Sequence, residues 1–188
     1  YDAKDIPQGF LLYWVEEDVF HIREMVYLTQ EARKGLWNFI RAHYSMIDAV
    51  KGHIYTGEPL AFLLDESQIQ ETIEPYFMAR IVDVAQFLRL YPFEGSIRPF
   101  HFVVTDPMAE WNNGIFSVAT DREGTVSVTD EPAGKAVELD IQTLSAMLMG
   151  YKRPSYLARI ERLHTDKRTL RLLEEIIPDG QPYFSDYF

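Results

Sequence analysis

The chain has 188 residues, 47% of them hydrophobic, and 29 acidic against 18 basic side chains give a formal charge of −11. That is ample material for a core, while the acidic surplus argues against nucleic acid as a partner and favours amines or other cations. With no cysteine, disulfides, thiolate metal sites and a cysteine nucleophile are excluded. No apolar run reaches the roughly 18 to 20 residues of a membrane span and no signal pattern opens the chain, so a cytoplasmic protein with no membrane partner is expected.

Tyr1, not methionine, comes first, and "YDAKDIPQGFLLYWV" enters a strand pattern almost at once, which reads as a piece of a longer polypeptide. Two β-rich runs, Phe10 to Val15 and Val19 to Leu28, flank the acidic turn Glu16, Glu17, Asp18 and predict a hairpin. Next, "TQEARKGLWNFIRAHYS" sets Ala32, Leu36, Phe39 and Ile40 at helical spacing behind Thr29 as N-cap. A short strand in "MIDAVKGHIY" and a brief helix in "EPLAFLLDES" follow. The polar stretch from Asp65 to Pro75 has no steady period and reads as a linker, dividing the chain into 1–74 and 75–188.

Beyond the linker, "YFMARIVDV" predicts a strand and "DVAQFLRLY" a helix capped by Asp83. Three β-rich runs, "SIRPFHFVVTD", "GIFSVATD" and "GTVSVTD", are separated by Asn113-Gly114 and by "DREG", and predict an antiparallel meander. The run "LDIQTLSAMLMGY" places Ile141, Leu144 and Leu148 on one helical face, with Asp140 as cap and Gly150 at the stop. Pro154 opens another helix, and a last one turns Leu170, Leu173 and Ile177 inward before Pro178. The expected class is therefore α+β, in two parts.

Candidate chemistry is sparse. His21, His43, His53, His101 and His164 are scattered without metal-ligand spacing, so no metal site is expected. Lys152, Arg153, Arg159, Arg162, Lys167, Arg168 and Arg171 alternate with acids at helical spacing and read as a salt-bridged solvated face. Asp106, Pro107, Trp111, Asn112 and Asn113 lie in a long loop whose turn chemistry alone explains them. The apolar face of the second part can line a lipid-sized cavity or close as a core; the two share one pattern. The chain ends "QPYFSDYF", with enough apolar area to be tied down against something.

Taken in order, "YFMARIVDVAQFL", "LDIQTLSAMLMGY" and the terminal "YFSDYF" resemble the C-terminal region of the enhanced intracellular survival family of acetyltransferases. The upstream run "YWVEEDVFHIREMVYLTQEARKGLWNFI" is similar to the late part of that family's second domain. The resemblance implies the end of a GNAT-like α/β domain over 1–74 and a sterol-carrier-protein-like α+β domain with an antiparallel sheet over 75–188. It also implies a missing catalytic domain that binds acetyl-CoA, since the pyrophosphate loop [QR]-x-x-G-x-[GA] has no match here and no cofactor is expected in this chain.

In that family the C-terminal carboxylate serves as general base for an acceptor amine. The matching group is the α-carboxylate of Phe188, with Asp186 as a nearby acid. A free α-carboxyl titrates near about 3.5, and desolvation by Tyr183, Phe184 and Tyr187 would raise it toward useful basicity. The implied partners are a cationic amine of unknown identity and, for the full-length protein, further copies of itself. Two alternatives stay open: a lipid or apolar-ligand binding module, and an oligomerisation element.

Overall fold

The computed structural model describes residues 1–54, 60–64, 68–74, 76–120 and 125–184. The chain forms two compact units, Tyr1–Gln70 and Glu71–Phe188.

In the first unit, strands β1 (Gly9–Glu16) and β2 (Val19–Tyr27) pair antiparallel, and β3 (Ala49–Gly52) runs parallel to β2 on its other side. Glu17 and Asp18 both take positive φ, 48° and 59°, so the acidic turn closes the hairpin in the mirror-image geometry that matches strand twist. Helix α1 (Gln30–Arg41) starts where Thr29 accepts the Ala32 N–H at 3.1 Å, a cap that stabilises by about 1 kcal/mol. Ile40 is buried with Phe20 and Ile22, whereas Phe39 is exposed on the rim and Trp37 packs inward in its place. A four-residue helix, α2 (Leu60–Leu63), completes the described part of the unit.

The second unit has a five-stranded sheet. Strands β4 (Phe100–Thr105), β5 (Gly114–Thr120) and β6 (Val126–Thr129) form the expected meander, while β7 (Lys135–Asp140) lies parallel to β4 and antiparallel to the short β8 (Leu163–His164). The sheet is thus antiparallel except at its β4–β7 pair. Helices α3 (Val84–Leu90), α4 (Ile141–Leu148) and α6 (Lys167–Ile176) each open on an aspartate, Asp83, Asp140 or Asp166, that accepts a first-turn N–H. Helix α5 (Pro154–Arg159) opens on proline. Leu88, Phe100, Phe102, Ile141, Leu144 and Leu173 are fully buried in one core, and burying each such side chain stabilises by roughly 1.5–3 kcal/mol.

One predicted strand is absent. Residues 76–82 join no sheet, and at Ile81 and Val82 backbone groups bond to side chains instead. Ile81 N–H donates to Ser145 Oγ at 3.1 Å, and the Val82 carbonyl accepts from Trp111 Nε1 and Asn112 Nδ2. The "DREG" turn lies outside the described residues.

Candidate functional site

The chain's last described segment follows a fixed track across the second unit. Helix α6 ends at Ile176, and Arg153, at the start of α5, grips what comes next: its Nη1 donates to the Ile177 carbonyl at 2.9 Å and to that of Pro178 at 3.1 Å. The same guanidinium pairs with Glu174, whose other carboxylate oxygen takes the Ser155 N–H at 2.6 Å. Burial alone would raise the Glu174 carboxyl, but the Ser155 and Arg153 donors outweigh it and hold the group below its ordinary range. Arg153 therefore belongs to a terminus clamp rather than to a solvated basic face.

Three residues on, the backbone of Gly180 passes directly over Gly150. Gly150 stands at φ 77°, and a Cβ there would collide with the Gly180 carbonyl oxygen and stand 3.1 Å from its carbon. The helix-stop glycine at 150 is thus also the place where the tail crosses. Phe184 then sets its ring on Phe77, centroid to centroid 5.5 Å. Residues 177–184 are held at three points. The expected site groups, Asp186 and the Phe188 carboxylate, lie outside the described residues, as does Tyr187.

The segment that carries Phe77 is itself clamped. Asp106 is wholly buried, and both of its oxygens lie 2.6 Å from Arg80 Nη2. It also accepts from Asn112 Nδ2 at 2.9 Å and from the Met108 and Ala109 N–H groups. Asn112 Oδ1 takes the Val84 N–H at 3.0 Å, and Asn113 bonds both the N–H and the carbonyl of Asp106. What the sequence offers as loop chemistry is a buried polar knot that ties residues 80–84 to the β4–β5 connection.

Burial pushes the Asp106 carboxyl up, but the donors from Asn112, Met108 and Arg80 prevail and hold it at about 2. Below the ordinary carboxylate value of about 3.9 the unfolded chain takes up this proton first. Stability from Asp106 is therefore complete above about pH 4 and is lost as pH falls through about 2. Urea unfolding of the second unit followed from about pH 5 to about pH 2 should show its midpoint falling across that window, and Asp106→Asn should flatten the slope.

Elsewhere on the second unit, an open depression of about 310 Å³ is lined by Val103, Thr105, Glu138, Asp140, Arg162 and His164. Arg162 pairs there with Asp140 at 2.8 Å and donates to Thr143 Oγ1 at 3.2 Å. Of the histidines, His43 and His101 each place Nδ1 on a backbone carbonyl, Phe39 and Ala133. Among the described residues no cluster of histidine and acid side chains is arranged to hold a metal, and no helix is long and apolar enough to cross a membrane.

The sterol carrier protein domain family matches residues 84–185, more than half of the chain, and the acetyltransferase (GNAT) domain family matches residues 1–81. The chain belongs to the sterol carrier protein domain family and carries, ahead of that domain, a match to the acetyltransferase (GNAT) domain family. It is similar to N-acetyltransferase Eis of Mycobacterium tuberculosis, 24% identical over 182 residues that make up 94% of this chain and 44% of the relative. A solved probable N-acyltransferase from Enterococcus faecalis superposes with a TM-score of 0.90 at 32% identity, over 100% of this chain and 48% of that one. A GCN5-related N-acetyltransferase from Anabaena variabilis does so at 0.80 and 27%, over 95% and 47%. The chain spans about half the length of the relatives it matches.

GNAT acetyltransferases use acetyl-CoA, and the described residues of the GNAT part do not fit its pyrophosphate. Strand β2 passes into α1 through Leu28 and Thr29 without a glycine, and the Thr29 hydroxyl already takes the Ala32 amide that an anion would need. Gly150, Arg153 and Phe77 escape a reading of this family's sequence for chemistry, because each looks like an ordinary helix stop, surface charge or strand residue. A glycine at 180, seven residues from the Leu173 that seals the core, is the one local hint of a close crossing.

Proposed function

We propose that the chain is the acceptor-side region of an acetyl-CoA-dependent amine N-acetyltransferase, in which the α-carboxylate of Phe188 accepts the proton that an acceptor ammonium must lose before it can attack. The supporting observation is the tail itself: residues 177–184 are fixed by Arg153, Gly150 and Phe77. A terminal group can serve as a base only if its approach is fixed, since general-base efficiency depends on hydrogen-bond reach to the proton. The acetyl donor is bound outside these 188 residues, and acetyl transfer takes place there.

The curated relative named N-acetyltransferase supports the reaction class. The acidic balance of −11 suits a cationic acceptor such as a polyamine, an aminoglycoside or a lysine side chain. The core, with Phe100 and Phe102 buried, favours this reading over an apolar-ligand module. The test is made on the full-length protein. Adding two glycines after Phe188 should lower kcat by about 10² to 10⁴, the usual worth of a positioned base, with the donor KM unchanged. An unaltered rate sinks the proposal.

A further inference from the structure

We infer that Asn113-Gly114 is a latent covalent modification site: the Asp106 knot holds the Asn113 side chain away from intramolecular deamidation, and opening of the knot releases it. Of the asparagines in the chain, Asn38, Asn112 and Asn113, only Asn113 precedes a glycine. Glycine sets no side chain beside the amide nitrogen that must attack, so the step is least hindered there. In that step the Gly114 nitrogen gives its proton to solvent base and bonds to Asn113 Cγ. The Cγ–Nδ2 bond breaks, Nδ2 leaves as ammonia with a proton from water, and a cyclic imide remains. Water then opens the imide at either carbonyl, leaving aspartate or isoaspartate.

Burial does not prevent this reaction. Asn113 and Gly114 are both exposed, and a Cβ at Gly114 would meet nothing within 4 Å. Geometry prevents it in two ways. Asn113 Oδ1 accepts the Asp106 N–H at 2.7 Å while Nδ2 donates to the Asp106 carbonyl at 2.6 Å, so the amide is bracketed on another residue's backbone. Ring closure also needs the Gly114 nitrogen to eclipse Cβ about the Cα–C bond, which in an L residue falls at negative ψ. Asn113 stands at φ −79° and ψ 123°, on the opposite side. Turning ψ would carry Gly114 off Val104, its partner in the β4–β5 ladder. A near-attack geometry is therefore out of reach until the bracket and the end of the ladder both let go.

The knot is what keeps the bracket in place. The Asp106 carboxylate is fixed by Arg80, Asn112 and the Met108 and Ala109 N–H groups, so the backbone that holds Asn113 moves only when those bonds break. The conversion also runs one way. Aspartate at 113 would set a carboxylate oxygen where Nδ2 donates, acceptor against the Asp106 carbonyl. Isoaspartate would add a methylene to the main chain at the head of β5. Either product weakens the knot that delayed it.

The test incubates the full-length protein at neutral pH and counts aspartate and isoaspartate at position 113 by peptide mapping, which separates them from isomerisation at Asp179-Gly180. Conversion should be about 10- to 10³-fold slower in the folded protein than in the urea-unfolded chain, the factor set by an open state populated at about 0.1–10%. Arg80→Met removes the cation from the buried Asp106 and should speed conversion about tenfold in protein that is still folded by circular dichroism. If that variant does not fold, urea below the unfolding midpoint serves instead: the rate should climb before the global transition, because only local opening is needed. Asn113→Asp, made directly, should unfold at a lower urea concentration with unchanged slope. Equal rates in folded and unfolded protein overturn the inference, and so does a rate that stays flat in folded Arg80→Met or in sub-denaturing urea. An Asn113→Asp midpoint equal to the parent's overturns the one-way loss.

Discussion

Gly134→Ala is expected to cause a large loss of stability in the second unit, about 2–5 kcal/mol. Gly134 holds φ at 69°, a left-handed conformation that costs an L side chain roughly 1–2 kcal/mol. A methyl group there would also land on the Pro99 carbonyl, 2.6 Å from its carbon and 3.1 Å from the Phe100 Cα. These are backbone atoms at the start of β4, so no side-chain rotation relieves the clash, and overpacking of this kind adds about 1–3 kcal/mol. The residues before Gly134 offer no slack. His101 bonds the Ala133 carbonyl, Ala133 N–H donates to Ser117 Oγ, and Ser117 donates in turn to the Glu131 carbonyl. Calorimetry of the chain should show the melting temperature of this unit fall by about 10 °C or more. A drop of only a degree or two would mean that the β6–β7 connection can rebuild around the methyl.

Asn112→Ala should cost about 2–4 kcal/mol, from a different cause. The Asn112 side chain is 1% exposed and satisfies three partners at once: the Val84 N–H, the Val82 carbonyl and the Asp106 carboxylate. Truncation leaves the Val84 donor buried without a bond and removes a donor from a buried anion, and each unmet group carries a desolvation penalty of about 1–3 kcal/mol. Helix α3 should loosen first, because Val84 is its first residue. Denaturant unfolding would show a lower midpoint at unchanged slope. Asn112→Asp separates shape from donation: it keeps the size but places a second carboxylate against Asp106, and should be at least as damaging. A harmless Asn112→Ala would mean that water fills the knot.

Period and cap chemistry made most of the elements legible. Thr29, Asp83, Asp140 and Asp166 all cap where residue type predicts, because an Ncap side chain and its N–H partner lie within three residues and need no tertiary context. The hairpin around Glu17 and the meander of β4 to β6 were readable for the same local reason. What escaped depends on distant partners. "YFMARIVDV" has a strand's composition, yet its backbone is satisfied by Ser145, Trp111 and Asn112, the first of which is 64 residues away in sequence from Ile81. Strand β7 joins the sheet parallel to β4, a pairing that alternation of side chains cannot announce. Asp106 and Asn112 carry turn composition and are buried all the same, since burial follows from Arg80 arriving from another segment. The aromatic tail was visible as a group needing an anchor, while the anchor, Phe77, was not.

The aspartates that open α3, α4 and α6 also bear on how this acidic protein meets a cation. Asp83, Asp140 and Asp166 face the positive ends of helix dipoles, and Asp106 and Glu174 are engaged by arginines and amides. Each still counts in the long-range negative field around the chain. At contact distance, however, Asp106, Asp140, Asp166 and Glu174 each have both carboxylate oxygens bonded within the fold, so the charge these four add to the field is not matched by open acceptors on their side chains.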